Sequence, residues 1–363
     1  MSLNDLDKKF LNQALDLSEK GRWSCSPNPM VGAVIVKDNQ CVGEGFHKKA
    51  GEPHAEIIAL DDAGSSSREA TLYVTLEPCS TFGKTPPCTE AIINAGIKRI
   101  IVGTIDPNPL HAGKGLEILK ANNIEVELAD NKKCKEINEK FNHYIVTKTP
   151  FVHVKWAMTL DGKIASVTGD SKWISCGKSR EYVYKLRSEY DAILVGIGTV
   201  LADNPSLNVR LEGDWKSPVK IIVDSHCRTP ADSKIFSGMP VIIACGKNPN
   251  KTNLKLLKKA GAEILKFPSP ENDRVDLKDL LEVLGERGIS SVFAEGGAEI
   301  IGSLMTKNLV NRTTVFIAPK IIGGNSAPGP VGGKGIKKMS DALLLTNQQL
   351  ISFENDIMIT GKL

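Results

Sequence analysis

A chain of 363 residues exceeds what one hydrophobic core usually serves, so two domains are expected. Hydrophobic residues at 41% and charged residues at 24% exclude a disordered chain, and a formal charge of only +4 argues for small anionic ligands at most, not for a nucleic-acid surface. Eight scattered cysteines, no apolar leader and no apolar run of membrane-spanning length lead us to expect a cytoplasmic protein that engages neither membrane nor nucleic acid.

Leu6, Phe10, Leu11, Ala14 and Leu17 recur at three-four spacing and predict an amphipathic helix over 4–20. Strands over 31–36 and 41–46 flank a turn at 37–40 and read as a hairpin. A helix over 55–63, a strand over 71–76, a helix over 89–95 and a strand over 99–102 follow. Strands alternating with helices after an initial hairpin indicate a layered α/β/α domain. A polar helical segment over 132–148 leads into Thr149-Pro150, where the pattern restarts, which divides the chain into domains 1–148 and 149–363. The second is expected to be α/β as well, with strands at 151–157, 192–196, 219–224, 240–245, 291–295 and 312–317 and helices at 180–188, 277–287 and 298–306.

In the first domain His54-Ala55-Glu56, Pro78-Cys79 and Cys88 stand out. One imidazole and two thiolates are donors that zinc prefers, and three protein ligands leave the fourth tetrahedral position open for chemistry. Glu56 is too close in sequence to His54 to serve as a further ligand but well placed to carry protons. The ligands fall at the starts of two predicted helices, where the helix dipole favours thiolates. Hydrolytic deamination is the reaction this set suggests. If Cys25 or Cys41 instead closes the site, the zinc is structural and the protein a scaffold. Asn28, between Pro27 and Pro29, is held rigidly enough to present its amide to a pyrimidine edge, although an ordinary proline-rich turn accounts for it equally.

Zinc deaminases of nucleobases carry H-x-E followed by P-C-x-x-C. Here the second cysteine comes nine residues after the first. This longer loop, from Cys79 through Ser80, Thr81 and Phe82 to Pro86-Pro87-Cys88, resembles the deaminase half of the bifunctional pyrimidine deaminase/reductases of bacterial riboflavin biosynthesis, whose loop usually reads C-S-H-x-G-x-T-P-P-C. Thr81 departs from that pattern where the family generally has histidine. No zinc ligand is affected, nor Glu56, so the change is expected to bear on substrate contact or rate. The resemblance implies a cytidine-deaminase-like fold, Zn2+ held by His54, Cys79 and Cys88, and Asn28, His47 and Lys84 on the substrate side.

No G-x-G-x-x-G follows the first strand of the second domain, so a Rossmann fingerprint is absent there. The segments 155–163, 196–205 and 295–298 stand out instead; the second and third put glycines at strand ends, where bare backbone amides can approach phosphates. The order S-L-D-G-K-I-A, G-D-S-K-W-I, V-G-x-G-T-V-x-A-D-N-P-x-L, D-S or D-T, E-G-G and A-P-K-x-x-G-G is matched from residue 159 to 324, with Thr159 for the first serine. It resembles the reductase half of the same family, so that the resemblance covers nearly the whole chain. A dihydrofolate-reductase-like α/β fold that uses NADPH is implied. Ala157, Trp173, Thr199, Asp203 and Ser225, with Gly297, Ala298, Glu299, Ile300, Ile301, Gly302 and Ser303, match positions lining the NADPH site. Ser171, Arg187, Leu207, Arg210 and Glu295 match positions that hold a phosphorylated pyrimidine, and the two arginines are the forked donors a ribose phosphate requires.

The implied activity is zinc-dependent deamination of 2,5-diamino-6-(5-phosphoribosylamino)pyrimidin-4-one, then reduction of the ribosyl chain to ribityl. A homo-oligomer formed through the second domain is also implied. No general acid for the reductase is legible. The alternative, a nucleic-acid base deaminase with a C-terminal binding domain, is disfavoured by an aromatic content of 5% and the lack of a basic, aromatic-interleaved patch.

Overall fold

The computed structural model describes residues 3–82, 86–213, 215–269 and 272–363, which form two compact units, Met1–Lys148 and Thr149–Leu363. Among the described residues no helix is long and apolar enough to cross a membrane.

The first unit is built on a five-stranded sheet of order β2-β1-β3-β4-β5, comprising β1 (Gly32–Lys37), β2 (Gln40–Phe46), β3 (Thr71–Val74), β4 (Arg99–Val102) and β5 (Glu125–Leu128). The hairpin strands run antiparallel and the last three parallel. Side chains alternate across the pleat, so each strand feeds two cores. Ala33, Ile35, Leu72, Val74, Ile100 and Val102 pack under α2 (Ala55–Ala63), α3 (Cys88–Asn94) and α4 (Lys114–Ala121). Val34, Val36, Tyr73 and Ile101 face α1 (Asp5–Ser18) and α5 (Lys132–Ile137) on the other side. The layered α/β/α expectation therefore holds. Asn4 caps α1 by accepting from the Asp7 amide at 2.8 Å. Buried Asp7 receives the Arg99 guanidinium at 2.9 and 3.0 Å, which ties that helix to β4.

Two expectations for this unit need correction. The segment 132–148 is not one helix: α5 ends at Ile137 and α6 (Glu139–Thr147) begins after Asn138. The buried Asn138 side chain accepts from the Met30 amide at 2.7 Å and donates to the Met30 carbonyl at 2.8 Å, a long-range pairing that takes precedence over helical continuity. The expected strand 71–76 stops at Val74, because Thr75 turns its hydroxyl to accept from the Gly32 amide at 3.1 Å.

The second unit holds nine strands in the order β10-β9-β8-β7-β11-β6-β12-β14-β13. They are β6 (Phe151–Thr159), β7 (Ala192–Gly196), β8 (Val219–Val223), β9 (Val241–Cys245), β10 (Ala262–Lys266), β11 (Ser291–Glu295), β12 (Arg312–Ala318), β13 (Thr346–Phe353) and β14 (Asp356–Lys362). All neighbours are parallel except the last two pairs, where β14 runs antiparallel to both β12 and β13. Val152, Val154, Ala192, Leu194, Ile221 and Val292 pack against α10 (Leu277–Glu286) and α11 (Ala298–Thr306). The leucines Leu277, Leu280, Leu281 and Leu284 line the inner stripe of α10, and full burial of each contributes roughly 2 kcal/mol. The opposite face carries α7 (Gly177–Ser188), α8 (Ile197–Asp203) and α9 (Lys251–Lys259).

The predicted strands and helices of this unit are present, and five more elements appear that the sequence reading omitted: α8, α9, β10, β13 and β14. The start of α7 lies three residues earlier than expected. Asp356 of the terminal hairpin accepts there from the Cys176 amide at 2.7 Å and the Ser179 hydroxyl at 2.6 Å, a cap supplied from the far end of the domain.

Candidate active sites

The N-terminus of α2 sits at the end of the β1–β2 hairpin because glycines on β2 let the helix backbone approach. A Cβ at Gly43 would meet the Ala59 carbonyl oxygen at 2.4 Å, and one at Gly45 the Ala55 carbonyl at 2.5 Å. His54 is the extended residue before that helix, Cys79 lies in the loop after β3, and Cys88 opens α3 behind Pro87. These three side chains converge, with one ligand atom from each all within 4.8 Å of one another. His54 Nδ1 lies 3.2 Å from Cys88 Sγ and 3.6 Å from Cys79 Sγ. Tetrahedral zinc bonds of about 2.3 Å to sulfur and 2.0 Å to nitrogen put such atoms roughly 3.5 Å apart, so the donor set and spacing fit a zinc ion. Neither Cys25 nor Cys41 joins the cluster among the described residues.

The electrostatics suit metal loading. The Cys79 thiol is pulled below its ordinary value, first by its hydrogen bond with Cys88 and then, against burial, by His54 and the Cys88 amide, which donates at 3.3 Å. Cys88 is pushed up in turn, by the same contact with Cys79 and by burial. His54 is raised, chiefly by Cys79. A cation entering here displaces their protons. Glu56 is buried near Cys88 and the cluster, and burial pushes it up to about 7.

His47 and Asn28 lie together at the same end of the sheet. His47 Nδ1 is 3.1 Å from the Pro53 carbonyl, which can only accept, so that nitrogen carries the hydrogen. Burial holds the imidazole neutral by lowering its pKa. The other nitrogen then accepts from Asn28 Nδ2 at 3.0 Å, which uses one of the two amide hydrogens and orients the Asn28 carbonyl oxygen. The His47 ring meets His54 edge-on with centroids 5.3 Å apart, so Asn28 is linked to the zinc cluster through one imidazole. Lys84 lies outside the described residues. Thr81 is exposed.

In the second unit a cleft of about 1200 Å³ opens at the C-terminal ends of β6, β7, β8 and β11. Crevices at this end of parallel strands are where α/β sheets bind ligands. It is lined by Ala157, Trp173, Thr199, Asp203 and Ser225, by Gly297 to Ile301 and Ser303, and by Ser171, Arg187, Leu207, Arg210 and Glu295. Of the expected residues of this half, Gly302 alone does not line it. It lies under the segment around Gly332, whose carbonyl oxygen a Cβ at 302 would meet at 2.2 Å. Gly296 and Gly297 both adopt positive φ, at 73° and 80°, a turn that glycine alone enters without strain and that aims the start of α11 at the cleft.

Lys155 is a cleft residue to which the sequence reading gave no role. It pairs in register with Glu295 on the neighbouring strand, and Lys155 Nζ lies 3.6 Å from Glu295 Oε2. Arg187, from α7, forks onto the same carboxylate with Nη2 at 3.0 Å from Oε2 and Nε on Oε1. Burial opposes charge on all three. Their mutual attraction keeps Glu295 below the usual carboxylate range and Arg187 above its ordinary value, while Lys155, facing Arg187 as well as Glu295, falls below the ordinary lysine range. The available signal was a lysine in a largely apolar strand, the first residue of the segment 155–163, which was singled out without a role for that side chain.

Comparison with known proteins agrees with both halves. Residues 4–104 match the model of the cytidine and deoxycytidylate deaminase zinc-binding region, and residues 150–359 that of the RibD C-terminal domain. The riboflavin biosynthesis protein RibD of Aquifex aeolicus is 41% identical over 363 residues, 99% of each chain. Its counterpart from Bacillus amyloliquefaciens is 40% identical over 359 residues, 98% of this chain and 96% of its own. Among solved structures, Acinetobacter baumannii RibD superposes with a TM-score of 0.87 at 36% identity, covering 98% of both chains. A diaminohydroxyphosphoribosylaminopyrimidine deaminase/5-amino-6-(5-phosphoribosylamino)uracil reductase from Thermotoga maritima gives 0.83 at 34% identity, again over 98% of both. Fold and site thus define a bifunctional enzyme, a cytidine-deaminase-like zinc domain followed by a reductase domain. The chain belongs to the RibD family of riboflavin biosynthesis proteins, with zinc and NADPH as cofactors.

Proposed function

We propose that residues 1–148 remove the 2-amino group of 2,5-diamino-6-(5-phosphoribosylamino)pyrimidin-4-one and that residues 149–363 reduce the ribosyl chain of the resulting 5-amino-6-(5-phosphoribosylamino)uracil to ribityl. The observation that carries the first step is the convergence of His54, Cys79 and Cys88 at zinc-binding spacing beside a buried Glu56. When bound there, zinc supplies the Lewis acidity that makes water a nucleophile at neutral pH. Glu56 takes the proton from the attacking water and delivers it to the departing ammonia as the C–N bond breaks. The carbonyl of Asn28, braced by His47, receives an N–H of the pyrimidine edge, and the family resemblance adds Lys84 as a substrate contact.

In the second step NADPH supplies the hydride. Thr199, Asp203, Ser225 and the turn from Gly297 to Ser303 hold the cofactor along the cleft, with Ala157 and Trp173. Arg210, Ser171 and Leu207 hold the phosphorylated substrate. Glu295 orients a ribose hydroxyl, braced by Arg187, and Lys155 donates the proton taken up by the sugar oxygen as C1′ accepts the hydride. Incubating the protein with the diaminopyrimidine phosphate tests both steps by mass. Exchange of NH2 for OH adds about one dalton without NADPH, and reduction adds about two more when it is supplied. An unchanged mass in the first arm overturns the deaminase reading, and no further gain in the second overturns the reductase reading.

We also infer a homo-oligomer through the second domain. Its sheet ends on β13, where Leu350 is 70% exposed on a strand with one free edge and Leu344 just before it is 80% exposed. Leu350→Glu is expected to shift the sedimenting species from oligomer to monomer; a wild-type chain already monomeric at micromolar concentration overturns the inference. The eight cysteines, two of them in the candidate metal cluster and none assigned to a disulfide, suit a reducing cytoplasm.

A further inference from the structure

The ligand loop from Cys79 to Cys88 is long for a catalytic zinc site, and a long loop has more freedom to lose when its two thiolates must meet one ion. Its two ends are tied to each other: the Cys88 amide donates to Cys79 Sγ at 3.3 Å, and the Thr89 amide to the Cys79 carbonyl at 3.3 Å. Its outgoing arm is tied elsewhere. Ser80 Oγ lies 3.4 Å from Nδ1 of His111, a residue of the segment between β4 and α4 that no motif includes.

That segment is itself locked to the ligand loop. Buried Glu77, two residues before Cys79, accepts from the amides of Asp106 at 3.1 Å, Gly113 at 2.9 Å and Gly115 at 2.9 Å. Within the segment the His111 amide donates to the Asn108 carbonyl at 2.9 Å, and the His111 carbonyl accepts from Lys114 at 2.8 Å. A Cβ at Gly115 would lie 2.4 Å from the Pro78 carbonyl, so α4 begins in direct contact with the residue preceding the ligand. The result is a rigid platform whose outward side chain reaches the loop one residue past a ligand.

We propose that His111 is a positioning residue for deamination: by bonding Ser80 it holds the outgoing arm of the ligand loop against the zinc pocket. The contact lies one residue before Thr81, where this chain departs from the loop pattern of its family, and it brings to that arm, from another element, an imidazole that position 81 lacks. This rests on the reading of His54, Cys79 and Cys88 as the deaminase zinc site. The zinc ligands are unchanged by loss of His111. What changes is the precision with which the loop wall meets the pyrimidine, and catalysis is sensitive to displacements well below 1 Å.

The test is a double-mutant cycle of His111→Ala and Ser80→Ala in the full chain, reading deaminase kcat and KM, reductase activity on the deaminated substrate, and zinc content. Each single variant is expected to lose about tenfold in deaminase kcat, the double variant no more than either, with zinc and reductase activity retained. His111→Asn, whose amide occupies the place of Nδ1, restores kcat to within about threefold of wild type, whereas His111→Gln, whose amide mimics Nε2, does not. Wild-type kcat in His111→Ala, losses that multiply in the double variant, rescue by Gln rather than Asn, or loss of zinc with activity each overturns the proposal. A wild-type chain that deaminates after complete zinc removal refutes the underlying site assignment instead, so the two failures are distinguishable.

Discussion

Glu56→Gln is expected to lower the rate of deamination by about 10³-fold while leaving zinc content and reductase activity at their wild-type levels. The substitution keeps the size and hydrogen-bonding reach of the side chain but removes its ability to take a proton from water and hand it to ammonia. A group that serves as base and then as acid in one turnover cannot be replaced by bulk solvent here, because Glu56 is 3% exposed and lies near Cys88. Glutamine is neutral, so it adds no unpaired charge to that buried position, and folding should survive. Stopped-flow absorbance of the pyrimidine, with zinc measured on the same sample, reads the effect. A variant that deaminates within tenfold of wild type would falsify the proton-carrying role, and one that loses its metal would reassign Glu56 to the ligand set.

The second large effect is expected in the other domain. Lys155→Met should reduce the reductase kcat by about 10² to 10³-fold, with deamination unchanged. Methionine retains most of the side-chain volume in β6. The Glu295 carboxylate keeps its two bonds from Arg187, so the substitution does not strand a buried charge. The lost element is the ammonium 3.6 Å from that carboxylate, in the middle of β6 opposite the last residue of β11. Single-turnover oxidation of NADPH separates the chemical step from binding. If the hydride step runs at the wild-type rate and only substrate affinity falls, Lys155 is a binding residue and the proton comes from elsewhere.

Much of the candidate metal site was legible because its chemistry restricts residue type. An imidazole, two thiolates and an acid two residues after the imidazole form a rare combination, and their placement before helices follows from local periodicity. Asn28 and His47 were legible only as candidates. What relates them is the neutral His47 ring, whose tautomer is dictated by the Pro53 carbonyl, and a carbonyl contact of that kind leaves no mark on residue pattern. Lys155 was visible in the string and unassigned, since its meaning depends on the register that sets it opposite Glu295. Glu77 and His111 carried no local signal at all. Their partners lie about thirty residues away along the chain, beyond the reach of helical or strand periodicity.

The same distinction runs through the fold. Residue order alone determined the two α/β halves, the hairpin that opens the first, the long apolar strands, the zinc-binding residue types and the glycine turn ahead of α11, because each of these is written in spacing or in a conformational demand that few residues meet. Tertiary structure decided where α5 stops, since Asn138 pairs with Met30, and where α7 begins, since Asp356 caps it. It also decided which buried charges share one carboxylate, and which side chain from a distant loop meets the arm of the metal-binding loop. These depend on pairing energies between segments remote in sequence, each small beside the whole but sufficient to override a local preference of about 1 kcal/mol.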